Sequence, residues 1–113
     1  MNNLKNLTLD DLDKMFKNYP LYSQDGIDDK LVILEIFVPN QNIYWLITEG
    51  EREENDYTFF GYYKIQYGEF GYVSFNEIKN LDYDIKYNNY SIPTKLNNFK
   101  KIYNIKILPA LYF

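Results

Sequence analysis

A chain of 113 residues with 46% hydrophobic content has the size of one domain and enough apolar material for a buried core. It contains no Cys and no His, which excludes disulfides, thiolate chemistry, Ser-His and Cys-His dyads, and the commonest metal ligand. The net charge of −4 is unevenly spread: residues 1–56 hold twelve acidic groups against five basic ones, and residues 57–113 hold seven lysines against four acids.

Aromatic residues reach 19%, carried by 13 Tyr and 8 Phe. Tyr combines an apolar ring with a polar tip, which suits half-buried sheet faces and binding surfaces. The abundance of Asn, Lys, Ile and Tyr also matches the coding bias of an AT-rich bacterial or phage genome. No apolar run approaches a membrane span, and the opening MNNLKNLTLDDL lacks the apolar core of a signal peptide, so a cytoplasmic protein without membrane contact is expected.

In chain order, Thr8 stands as an N-cap before Asp10, Asp11 and Asp13, where the helix dipole favours negative charge. Leu9, Leu12, Met15 and Phe16 recur at helical spacing, which predicts an N-terminal helix ended by Asn18-Tyr19-Pro20. Residues 20–29 read as a loop with Asp25-Gly26 as its turn signal. Asp25, Asp28 and Asp29 do not follow the ligand spacing of an EF-hand, so no calcium or other metal site is expected there. Residues 31–38, LVILEIFV, are almost continuously apolar and predict a central strand covered on both faces, with Glu35 on the wetter one. A turn at residues 39–42 leads to a partner strand over residues 43–48, with Trp45 as a core anchor. Residues 49–56, EGEREEND, are too polar to pack and read as a solvated hairpin tip or as a contact surface for a basic groove.

Residues 57–81 organise the remainder. Tyr57, Phe59 and Gly61 alternate with Thr58, Phe60 and Tyr62, the pattern of a pleated strand. Gly68-Glu69 marks a hairpin turn, and Phe70-Gly71-Tyr72-Val73 resumes the strand. Ser74 and Glu77 have capping-box spacing for a short helix. Residues 81–92 are weakly extended, Pro93-Thr94 opens a helical turn through Leu96, Phe99, Ile102 and Tyr103, and residues 104–108 read as an edge strand stopped by Pro109. The expected fold is a single α+β domain over residues 1–113: a small antiparallel sheet curled into a partial barrel, an N-terminal helix, and one or two short helices.

Catalytic patterns are absent. Five scattered glycines form neither a Walker loop nor a dinucleotide fingerprint. Asp28-Asp29 and Glu53-Glu54 are adjacent in polar loops, whereas acid–base work needs carboxyls converging across a cleft. The expectation is therefore a protein without catalysis, small-molecule substrate or cofactor.

The order of short motifs resembles an uncharacterised bacterial family, the domain of unknown function numbered 2958. The resemblance rests on Pro20-Leu21-Tyr22-Ser23-Gln24, on the strand ending in Phe37 and Pro39, and on the Trp45 strand closing with Thr48-Glu49. It continues through Phe59-Phe60-Gly61 and Glu69-Phe70-Gly71-Tyr72 to Ser74 and Glu77, and covers residues 19–99; Lys86-Tyr87-Asn88-Asn89-Tyr90 departs from the pattern and residues 100–113 look like an addition. The resemblance implies a mobile-element setting, on phages or plasmids, and carries no functional residues across.

These features point to a non-enzymatic inhibitor, anti-CRISPR-like, that binds a basic host protein or ribonucleoprotein complex handling nucleic acid. Its expected contact residues are Asp25, Asp28, Asp29, Glu49, Glu51, Glu53, Glu54 and Asp56, with Tyr22, Tyr57 and Tyr63 as exposed anchors. The alternative is a single-stranded nucleic-acid-binding accessory protein using Lys95, Lys100, Lys101 and Lys106 with Tyr90, Phe99 and Tyr103 as a stacking platform.

Overall fold

A computed structural model describes residues 2–105. Within them, six antiparallel strands form one sheet: β1 (Asn2–Asn3), β2 (Leu31–Phe37), β3 (Tyr44–Glu53), β4 (Asp56–Lys64), β5 (Gly68–Ser74) and β6 (Lys86–Lys95), ordered β1-β6-β2-β3-β4-β5. Two α-helices, α1 (Leu9–Met15) and α2 (Phe75–Lys79), and two 3₁₀ turns, Leu4–Asn6 and Leu96–Phe99, complete the described elements. β2 to β5 are successive hairpins, while β6 returns across the sheet to pair with β2. The sheet is open and not strongly curled, with β1 and β5 at opposite edges, which corrects the expected partial barrel.

The two faces are covered by different parts of the chain. On the first, α1 and α2 pack over Ile36, Trp45, Ile47 and Phe59, with Phe16, Phe59 and Phe75 in ring contact at 5.6 and 6.0 Å between centroids. On the second, Leu96, Phe99 and Ile105 cover Val32, Tyr44, Leu46 and Tyr62. β2 is thus buried on both sides, as its apolar run requires. Glu35 is not on a wetter face: it is 5% exposed beneath the C-terminal segment. Asn88 Nδ2 (3.0 Å), the Tyr90 hydroxyl (2.7 Å) and the Tyr103 hydroxyl all donate to its carboxylate, which is how a buried charge is accommodated.

The caps follow the sequence. The Asp11 N–H donates to Thr8 Oγ1 at 3.1 Å and the Thr8 N–H to Asp11 Oδ2 at 3.0 Å, a reciprocal capping box. α1 ends at Met15 with Phe16 as its C-cap, short of Asn18-Tyr19-Pro20. The Glu77 N–H donates to Ser74 Oγ at 3.3 Å to start α2.

Three boundaries differ from the sequence reading. Residues 49–53 belong to β3, and the tip narrows to Glu54-Asn55, with Glu54 in the left-handed region at φ 55°. The β4–β5 turn falls at residues 65–67; Gly68 already pairs with Lys64. A Cβ at Gly68 would lie 1.9 Å from the Tyr62 hydroxyl, so glycine serves close packing there rather than the turn. β6 runs through Pro93-Thr94 to Lys95, and the helical turn begins only at Leu96. Pro93 is tolerated because residues 90–93 bulge out of the ladder: Leu34 pairs with Asn89, and Val32 with Thr94. The strand expected over residues 104–108 lies almost wholly outside the described residues.

Candidate interaction surface

The site is built on a one-residue irregularity in β3. Ile47 pairs with Gly61, but Glu49 pairs with Phe60, so a bulge at Thr48 moves Glu49 onto the second face. Glu49 is 1% exposed there. Its Oε1 accepts the Tyr22 N–H at 2.7 Å and its Oε2 the Gln24 N–H at 2.9 Å. Burial pushes the Glu49 carboxyl above its ordinary range, against the lowering effect of those two N–H groups and of Lys30; Asp25 adds to the rise.

Gln24 and Lys30 finish the loop from within. Gln24 Nε2 donates to the Leu31 and Thr48 carbonyls, both at 2.8 Å, and Gln24 Oε1 accepts the Leu31 N–H at 2.6 Å. The buried Lys30 ammonium donates to the carbonyls of Gln24 (2.8 Å) and Ile27 (2.7 Å). A carboxylate therefore takes the loop's N–H groups and an ammonium takes its C=O groups, which satisfies backbone that a buried loop would leave unpaired. The two buried charges also have opposite sign.

This clamp has an outward consequence. Tyr22 sits at φ 74°, a left-handed conformation that costs a non-glycine residue energy and persists here with its N–H held by Glu49. Its side chain is 63% exposed and stands beside Tyr72, which is 48% exposed. Partial burial, then the Tyr22 hydroxyl, raises the Tyr72 phenol. Tyr72 in turn packs on Phe60 at 5.0 Å between centroids. The pleat directs Glu51 and Glu53 to this same face, opposite Thr58 and Asp56, and both are exposed, as is Asp25. Arg52 points to the other face and bridges Asp10 (3.2 Å) and Asp13 (2.7 Å) of α1, so it leaves these carboxylates without a neighbouring cation from their own strand.

A model of one known family, described as a protein of unknown function (DUF2958), matches residues 6–91. The chain belongs to that family. No curated protein and no solved structure matches it. In this DUF2958 member, the two stretches Pro20-Leu21-Tyr22-Ser23-Gln24 and Thr48-Glu49 form one hydrogen-bonded unit.

The expected contact residues divide. Asp25, Asp28, Glu51, Glu53 and Glu54 are exposed. Glu49 is buried and structural, and Asp29 accepts the Asn97 N–H at 2.9 Å, tying the C-terminal segment to the loop. Asp56 accepts the Tyr57 and Asn76 N–H groups and the Ser74 hydroxyl; burial raises its carboxyl, but these bonds outweigh that and hold it below its usual range. Tyr57 is not an exposed anchor: it is 3% exposed in the first-face core, with its hydroxyl on the Leu12 carbonyl. Tyr63 is half-buried and donates to Glu69 at 3.0 Å. Gln24, Lys30 and Tyr72 were missed. Membership of the family-like stretches was the one signal for Gln24 and for Tyr72, and nothing in the sequence marked Lys30.

The C-terminal aromatic residues face inward. Phe99 is 1% exposed, Tyr103 stacks on Tyr44 at 4.1 Å, Phe99 lies 5.8 Å from Tyr90, and the hydroxyls of Tyr90 and Tyr103 are engaged by Glu35. Burial pushes the Tyr44 phenol up to about 12. Lys95 and Lys101 are exposed and Lys100 is half-buried, but the rings between them form a packed cluster rather than a splayed stacking platform; Lys106 lies outside the described residues. Among the described residues no three acidic side chains converge to hold a metal, and no helix is long and apolar enough to cross a membrane. A cavity of about 580 Å³ between α1 and β6 is lined by one carboxylate, Asp11, which is committed to capping α1.

Proposed function

We propose that this DUF2958 member is a non-enzymatic protein that acts by binding a basic macromolecular partner through the face that carries Tyr22, Tyr72, Asp25, Glu51 and Glu53. A host complex that handles nucleic acid, of the kind mobile elements must disarm, is the class of target this chemistry suits. The observation that supports the reading is the Glu49-held loop: it fixes an exposed Tyr22 beside Tyr72 and borders both with carboxylates that no cation of the same strand neutralises. A rigid tyrosine pair gives contact area at small entropic cost. The carboxylates draw a Lys- and Arg-lined channel into fast, salt-sensitive association.

The test is affinity capture from the native host, followed by binding measurements on two variants. Reversing Glu51 and Glu53 to Lys should weaken the captured partner about tenfold or more and flatten its salt dependence. Tyr22→Ala should weaken it while leaving the salt dependence in place. Unchanged affinity in both variants would remove this face from the function. Asp56 is spared from the charge reversal because it caps α2.

A further inference from the structure

The two edges of the sheet are finished differently. Exposed strand edges present unpaired N–H and C=O groups, and proteins blunt them with Lys, Pro or bulges. The β6 edge has such devices: Pro93, the bulge over residues 90–93, and partial cover by β1. The β5 edge has none. Its sequence GEFGYVS contains neither Lys nor Pro, its ladder with β4 runs without a register shift, and no described residue pairs with its outer side.

We propose that β5 is the interface between two copies of this chain, paired antiparallel about a twofold axis through Gly71. The register is self-complementary. It sets Phe70 opposite Tyr72 of the second copy, and Tyr72 opposite its Phe70. Within one chain Tyr62 already faces Phe70 and Phe60 faces Tyr72, so each two-ring row becomes a four-ring row across the junction. Charge permits it as well. Glu69 is the one charged residue on β5; it is held by the Tyr63 hydroxyl at 3.0 Å and falls opposite Val73 rather than opposite another acid. On the other face, Gly71 meets Gly71 with no side chain between the strands. A strand of unrelated sequence would share the backbone pairing but not this matching of rings and charge, and the isologous arrangement closes at two copies. The second faces of the copies then lie side by side, each with its own Tyr22.

The chain has no cysteine, so one introduced cysteine reports the register alone. In an antiparallel pair the two copies of residue 71 approach within about 4.5–5.5 Å between Cα atoms, inside disulfide reach. The two copies of residue 69 stand roughly 13 Å apart by strand rise, outside it. Gly71→Cys should give a covalent dimer under mild oxidation and Glu69→Cys should not. A Cβ at Gly71 lies 3.3 Å from the Tyr63 ring, a contact the ring can yield to, and circular dichroism checks that the variant folds. Sedimentation of the unaltered chain reads the same claim without a substitution: its mass should rise to twice the monomer's with concentration. No cross-link at Gly71, equal cross-linking at both positions, or a chain that stays monomeric overturns the proposal.

Discussion

Two buried carboxylates stand on neighbouring strands of the same face, and they are used in opposite ways. Glu35 on β2 is met by side chains, from Asn88, Tyr90 and Tyr103. Glu49 on β3 is met by backbone, the N–H groups of Tyr22 and Gln24. A hydroxyl rotates and can donate or accept, whereas a backbone N–H can only donate. Glu35 therefore anchors a segment whose donors can rearrange. Glu49 fixes a backbone conformation, including the left-handed Tyr22, and through it the shape of an exposed surface.

The largest expected effect comes from removing the backbone acceptor. Glu49→Ala should destabilise the fold by about 3–5 kcal/mol in urea titration, since the buried Gln24 N–H, the half-buried Tyr22 N–H and the buried Lys30 ammonium lose their counterpart. The isosteric pair sharpens the contrast. Glu49→Gln sets an amide NH₂ against a backbone N–H and should cost about 2–3 kcal/mol, while Glu35→Gln, facing hydroxyls that can turn to accept, should cost about 1 kcal/mol or less. Equal costs at the two sites would erase the distinction.

Acidity gives a smaller, directional effect. The Glu49 carboxyl is raised above its ordinary range, mainly by burial, so the folded state holds its proton more tightly than the unfolded chain. Its contribution is full below the unfolded value of about 4.3 and is lost as pH rises through the folded value. The stability difference between wild type and Glu49→Gln should thus shift against the wild type as pH climbs from about 4 toward neutrality. A difference independent of pH would mean that Glu49 titrates normally. The smallest effect is expected at Arg52. Its ion pairs with Asp10 and Asp13 are exposed, so Arg52→Ala should change the melting temperature little, and high salt should abolish even that change.

Much of the scaffold was legible from residue type alone. Thr8 with Asp11, Ser74 with Glu77, the apolar run of β2, and Trp45 at 1% exposure each follow from local chemistry. The surface was legible only in part. Strict alternation along β3 puts Glu49 on the face of Trp45 and Ile47, and a run of acids around it reads as solvated. The bulge at Thr48 shifts it to the other face, and a one-residue slip of this kind leaves no trace in composition. Sheet curl was misjudged for a similar reason: aromatic richness fits a barrel interior, but here the rings fill two separate layers, one under α1 and α2 and one under residues 96–105. Tyr57 illustrates the cost of reading tyrosine as an anchor, because its ring belongs to the first layer.

The exposed surface depends on loop 20–30 being a rigid platform clamped by Glu49. Amide hydrogen exchange of Tyr22 and Gln24 measures that clamp directly. In the wild type both N–H groups should be protected, despite the exposed Tyr22 side chain, and their protection should fall selectively in Glu49→Gln while amides in β2 and β4 keep theirs. Rapid exchange at Tyr22 and Gln24 in the wild type, at the rate of the exposed turn residues around Gln66, would contradict the clamp and the surface built on it.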